Sequence, residues 1–264
     1  MHYEVITPIV NTLYELHNSL GRIFKYLDKN DKEAYEILFN IFHYSATGSI
    51  LTTTKPLEDA RFINILDTTK RFLEIVFEVY NKYTASLANI AHYVYDMTLS
   101  HFRSNKKYIL LYDGMSIIEA LYIAHKMRPV NFIGVMINPG GVTETYKFIM
   151  GSHKYLTRVQ RLEEIIRQIA KETGAQAQIF RDYDDAIHRI ENLGGLDPQT
   201  IIDEVYNITL RLEARLNFLK REGATIMLIS DHGYDVVPAI PKRFKMQHKW
   251  AQHALSIIAP ILVL

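Results

Sequence analysis

The sequence predicts an α/β protein, with a mostly parallel sheet and flanking helices preceded by an all-helical region. Three observations lead there. Apolar residues recur at helical spacing from Tyr3 to about Phe102. After Ser104-Asn105, short apolar runs alternate with amphipathic stretches, the order expected of parallel strands joined by helices. Helix start and stop residues stand where that alternation needs them.

The first helix is predicted from Val5, Ile9, Leu13, Leu16, Leu20, Ile23, Phe24 and Leu27, which form one apolar stripe. A polar break at Asp28-Lys-Asn-Asp31 ends it, and a second helix is predicted around residues 35–42. A further break at 45–56 precedes long helical patterns carrying Phe62, Leu66, Phe72, Val76, Leu87, Ile90, Val94 and Met97. Stripes of this kind are core or partner-facing surface, and residues 1–104 show no chemistry-bearing motif. Strands are predicted at 108–112, 132–137, 175–180, 225–229 and 257–264. Ser116 with Glu119 makes a capping box, Gly174 and Gly223 stand at helix ends, and Asp197-Pro198 is a cap followed by a first-turn proline. There is no internal repeat or low-complexity stretch.

Composition narrows the chemistry. The 264 residues are 48% hydrophobic and 22% charged, enough for a full core in one large or two modest domains. Thirty basic and twenty-nine acidic residues give a net charge of +1, so no global field points to nucleic acid or an anionic membrane. The absence of cysteine excludes disulfides, thiol nucleophiles and thiolate-ligated zinc, leaving any metal to His, Asp, Glu or hydroxyl ligands. Met1-His-Tyr-Glu-Val5 lacks the basic and apolar segments of a signal peptide, and no run approaches the ~18–20 apolar residues of a membrane span. A cytoplasmic location is therefore expected, and the richness in Ile, Tyr, Lys and Glu suits a thermophile.

The chemistry gathers at predicted strand ends. Asp231-His232 follows the apolar run 224–230 and leads into Gly233, and Asp113-Gly114 follows the run 106–112. Open α/β sheets place their ligand crevices at strand carboxyl ends, and Asp with His is a usual ligand pairing for zinc-like ions. Each dipeptide alone reads as an ordinary polar exit from a strand, so the weight lies in the combination. In chain order the strand ends give Asp113-Gly114, then Asn138-Pro-Gly-Gly-Val-Thr-Glu-Thr145, then Asp182-Tyr-Asp-Asp-Ala-Ile-His188, then Asp231-His232, then His248.

This order resembles the alkaline phosphatase superfamily, and its short form resembles a PglZ domain, over residues 105–264. The resemblance implies an alkaline-phosphatase-like core and two divalent ions, zinc in the first instance. It implies that Asp113, Asp231 and His232 hold one ion together with the nucleophile oxygen of Thr143, and that Asp184, His188 and His248 hold the other. Two such ions activate the nucleophile, clamp phosphoryl oxygens and stabilise the leaving oxygen. Thr143 is the nucleophile candidate because it opens a predicted helix ending near Gly151, where free backbone N–H groups favour a phosphoryl group. Thr145 and Ser116 are alternatives, and Thr143 read alone is an ordinary helix cap. Asp184 and His188 are four apart and share a face if helical, with Asp182 and Asp185 competing for the acid role. His253 competes with His248. The segment Pro139-Gly-Gly-Val-Thr143 departs from the family pattern in having two glycines.

The activity implied is a metal-dependent phosphohydrolase, a phosphodiesterase or phosphatase, whose substrate is a phosphate ester such as a nucleotide or oligonucleotide. The alternative is a non-catalytic PglZ-like regulatory or scaffold protein whose helical half, residues 1–104, binds a protein partner or a second copy. A phosphate loop at Pro139-Gly-Gly141 is a weaker third reading, since neither a Gly-x-x-x-x-Gly-Lys pattern nor a dinucleotide fingerprint is present.

Overall fold

The computed structural model describes residues 2–27, 30–52, 59–152, 161–240, 242–247 and 255–264. Among the described residues four long helices come first: α1 His2–Tyr26, α2 Asp31–Thr47, α3 Ala60–Lys82 and α4 Leu87–His101. Their starts follow local chemistry. The side chains of Asn30 and Asp59 accept from the backbone amides of Glu33 and Arg61, satisfying donors that the first turn leaves open. No strand precedes residue 107 among the described residues.

Strands and helices then alternate: β1 Lys107–Tyr112, α5 Ile117–Lys126, β2 Phe132–Ile137, α6 Thr143–Gly151, α7 Leu162–Thr173, β3 Gln176–Phe180, α8 Asp182–Asn192, α9 Pro198–Arg221 and β4 Thr225–Ile229. The chain closes with β5 Asp235–Ile240, β6 Arg243–Gln247 and β7 Ile258–Val263. Five strands form one sheet in the order β2-β7-β4-β1-β3, and β5 with β6 forms a separate antiparallel pair.

The sheet is mixed. β1 pairs in parallel with β3 and β4, whereas β7 runs antiparallel to both β4 and β2. Four of the five strands therefore share a direction, and the expectation of a mainly parallel sheet is corrected at β7. A parallel return needs a crossover of a dozen or more residues, usually a helix. Between β4 and β7 the described chain has only the β5–β6 hairpin, so β7 enters at the edge where β4 exits. The β5–β6 hairpin has no counterpart among the strands that the sequence predicts.

Every residue of β2 and β7 is buried, as in strands covered on both faces. Helices α5 and α9 pack on β7 and β4, α4 packs on β2 and β7, and α7 packs on β1 and β3. Helix α1 lies against β2 and α5, so the helical half is not separate from the sheet. One continuous hydrophobic core runs from Ile6 and Leu13 through Tyr35 and Ile90 to the strands. No described helix is long and apolar enough to cross a membrane.

Candidate metal centre

β1, β2, β3 and β4 end along one edge of the sheet, and each chain exit there carries a polar residue. After β1, Asp113 is held by its amide, which donates to the Phe180 carbonyl at the end of β3 (2.8 Å). The Asp113 carbonyl in turn accepts from the amide of Asp184 (3.2 Å), so the exits of β1 and β3 are stitched together. Gly114 follows at φ +76°, a left-handed turn that lets its amide donate to Asp231 Oδ1 (3.3 Å). After β4, the buried Ser230 hydroxyl lies 2.6 Å from the His232 carbonyl and 2.9 Å from that of Tyr112, its single proton shared between them, which fixes the β4 exit against that of β1.

The side chains converge. Ligand atoms of Asp113, Asp184 and His232 all lie within 4.8 Å of one another. His232 Nε2 is 3.4 Å from Asp113 Oδ1 and 3.7 Å from Asp231 Oδ2. Its Nδ1 lies 2.8 Å from the carbonyl of Gly233, which orients the ring and turns Nε2 toward the acids. Asp231 is fully buried: Oδ1 accepts from the amides of Gly114 and His232, and Oδ2 accepts from Thr143 Oγ1 at 2.6 Å.

Electrostatics follow from this crowding. Burial pushes the Asp113 carboxyl up, the hydrogen-bonding ring of His232 opposes that, and the charge of Asp231 adds to it. For His232, burial disfavours the charged ring, but the Asp231 charge, the bond to Asp113 and the Gly233 carbonyl outweigh it and bring the ring to about 9. At neutral pH His232 therefore carries a proton between the two carboxylates.

Thr143 opens α6 behind a buried anchor. Asn138 donates through Nδ2 to the carbonyls of Val142 and Asp231, and its carbonyl accepts from the amide of Gly141. The two glycines at 140 and 141 have a steric cause. A Cβ on Gly140 would lie 1.9 Å from Thr145 Oγ1, and Gly141 has φ +59° against the backbone of Ser256. Thr145 thus packs back on its own loop. Ser116 is fully buried, its Oγ donating to Glu119 and accepting from the Ile118 amide, which occupies it in the capping box.

A cleft of about 480 Å³ opens in front of Thr143, Asp113 and Asp184; its walls include Arg161 and two ion pairs, Lys147 with Glu144 (3.6 Å) and Arg181 with Glu163 (2.8 Å). Asp231 and His232 stand behind it, both closed to solvent. Of the competing acids on α8, Asp184 lines the cleft, Asp182 is approached by Arg211 (3.5 Å) and Asp185 is exposed. His188 is half exposed; its Nε2 lies 3.5 Å from Asp184 Oδ1 and its Nδ1 3.5 Å from Glu191 Oε2. His248 and His253 lie outside the described residues.

The structure differs from the sequence expectation in one grouping and adds two features to it. Asp184 joins the group that holds Asp113 and His232, whereas the resemblance assigns it to the other ion. The cations of the cleft were legible in part: Lys147 stands one helical turn after Thr143, and Arg181 directly precedes the acidic segment. Asp235, whose carboxylate accepts from the amides of Leu255 and Ser256, binds the start of β5 to the chain entering β7 and had no sequence signal. Compared with protein-family models, with curated proteins and with solved structures, the chain finds no match.

Proposed function

We propose that the protein is a metal-dependent phosphohydrolase acting on a phosphate ester, with Thr143 as nucleophile and an alkaline-phosphatase-like, PglZ-like core. The observation that carries this reading is the 2.6 Å hydrogen bond from Thr143 Oγ1 to Asp231, made at the start of a helix and at the wall of a cleft that also holds Asp113 and Asp184. A hydroxyl with an acceptor for its proton, helix N-terminal amides beside it and cationic side chains around it is suited to attack on phosphorus.

The donor set suits a divalent cation of the zinc kind. Asp113 Oδ1 is buried and faces only the His232 ring, 3.4 Å away, so an oxygen ligand already gathered beside an imidazole is open to a cation that takes the place of the ring proton. Asp113, Asp184 and His232 would hold the first ion, with Asp231 and the Thr143 oxygen beside them. Asp184 and His188, with His248, are the residues the resemblance gives to a second. Bound ions supply Lewis-acid stabilisation of the phosphoryl oxygens and lower the nucleophile's pKa.

The chain's own residues do the rest. Asp231 Oδ2 takes the hydroxyl proton as Thr143 Oγ1 forms its bond to phosphorus and the ester bond to the leaving oxygen breaks. Arg161 offsets the phosphoryl charge, and Lys147 and Arg181 do so by turning from Glu144 and Glu163 to the phosphoryl oxygens. Water then cleaves the phosphothreonine and releases phosphate or a phosphomonoester. The test is a screen of generic phosphomonoesters and phosphodiesters on the zinc-, manganese- or magnesium-loaded protein, beside elemental analysis of the purified chain. Turnover that Thr143→Ala removes supports the reading. Bound metal with no turnover of any ester favours the regulatory scaffold instead.

A further inference from the structure

Behind the metal cluster lies a second polar centre that the proposed chemistry does not use. Glu119, on α5, is fully buried. Its Oε1 accepts from Tyr35 Oη (2.5 Å) and Tyr234 Oη (2.8 Å), and its Oε2 accepts from the Ser116 amide (2.9 Å) and Ser116 Oγ (2.5 Å). The three partners come from three parts of the chain. Ser116 is three residues after Asp113, Tyr234 is two residues after His232, and Tyr35 belongs to α2 in the helical half.

We propose that Glu119 is a positioning residue for the metal cluster, clamping the β1 exit to the β4 exit, and that Tyr35 makes the helical half a working part of that clamp. A capping box alone explains Ser116 but not the tyrosines, which reach the same carboxylate from α2 and from the β4 exit. Burial pushes both tyrosine hydroxyls far up, and the neighbouring Glu119 adds to this, so both remain donors across the working pH range. Removing one hydroxyl leaves a buried acceptor short of a partner while preserving the ring's packing. The consequence falls on loops whose next residues are Asp113-Gly114 and Asp231-His232. Groups bonded directly to metal ligands are worth about 10–100-fold in affinity, and Glu119, which acts one step further back through Ser116 and Tyr234, belongs at the lower end of that range.

The clamp rests on the metal reading only through its first readout. Tyr35→Phe and Tyr234→Phe are compared with Thr98→Val, which removes a buried hydroxyl on α4 that bonds only within its own helix. Zinc affinity is measured by competition with a chromophoric chelator, and amide hydrogen exchange is followed at Gly114, Ser116 and Gly233 in the zinc-free protein. Each tyrosine variant is expected to weaken zinc by about tenfold and to speed exchange at these amides, while Thr98→Val changes neither. A Tyr35→Phe protein that is merely less heat-stable, with wild-type zinc affinity and exchange, overturns the proposal. If the wild type takes up no zinc, the metal reading fails and the exchange data still decide the clamp. Glu119→Gln is the stronger perturbation, and the tyrosine variants carry the test if it does not fold.

Discussion

Thr143 Oγ1 donates to Asp231 Oδ2 across 2.6 Å, although 88 positions separate the two residues in the chain. The contact joins the start of α6 to the exit of β4, and in the proposed reaction it divides labour between a hydroxyl and a buried carboxylate. Thr143→Ala is expected to keep fold and metal but to lower turnover by on the order of 10³-fold or more, because the attacking oxygen is gone. Asp231→Asn should lose metal as well, since it removes a full negative charge beside His232. Steady-state kinetics with metal analysis separates the two. Near wild-type turnover in Thr143→Ala would refute the nucleophile, and an equal loss from Thr145→Ala alone would relocate it.

Metal affinity should rise with pH. His232 holds its proton up to about 9, so a cation taking Nε2 must displace that proton in the neutral range. Zinc affinity is therefore expected to climb, by up to about tenfold per pH unit, and to level off near 9. The same shift acts on the zinc-free fold. A histidine raised above its ordinary 6.5 stabilises fully below that value, and the contribution is lost as pH rises through about 9. Calorimetric titration in buffers of different ionisation enthalpy counts the released protons, and a pH-independent affinity across that range would show that His232 is not displaced.

Strand ends were the legible part of this chain, and contacts made at a distance were not. The runs at 132–137 and 225–229 coincide with β2 and β4, and the helix expected from Thr143 to Gly151 is α6, because local apolar runs and glycine punctuation set those limits. Asp113, Asp231 and His232 could be named because polar residues beside glycine at strand exits are a local pattern, whereas the resemblance singles out Thr143 and Asp184 among their neighbours. The direction of β7 could not, since an apolar run reads the same both ways and only pairing with β2 and β4 settles it. Nor could Tyr35: its 84-residue separation from Glu119 leaves no trace in spacing, and it reads as one more apolar-face aromatic.

Gly233 is expected to resist substitution. A Cβ there would stand 2.4 Å from the Leu255 carbonyl oxygen and 3.2 Å from that of Ile258, both backbone atoms that cannot rotate away. Its own carbonyl faces His232 Nδ1, so any shift that relieves the clash also turns the imidazole. Gly233→Ala should cost about 1–3 kcal/mol, a few degrees in Tm, and should weaken zinc binding beyond what the stability loss explains. Gly174→Ala, at φ +67° with open space around it, is the comparison that carries backbone strain without the clash. Equal effects of the two on zinc affinity would remove the steric explanation.

Acid should weaken the fold through the seam between α1 and α5. His17 on α1 and His125 on α5 are each lowered to about 4, by burial first and then by Arg128, while Lys126 opposes and Asp31 favours the charge on His125. Both Nδ1 atoms are buried without a hydrogen-bond partner, and the His125 ring stacks on Phe24 at 4.2 Å. Above the ordinary value of 6.5 neither the folded nor the unfolded rings carry a proton, so pH has no leverage. As pH falls from 6.5 toward about 4, the unfolded rings take protons that the folded ones refuse, and stability is lost across that window. His125→Phe keeps the stack on Phe24 and removes one titrating group. Its urea midpoint should therefore fall less steeply over this range than the wild type's, and parallel curves would place the acid sensitivity elsewhere in the fold.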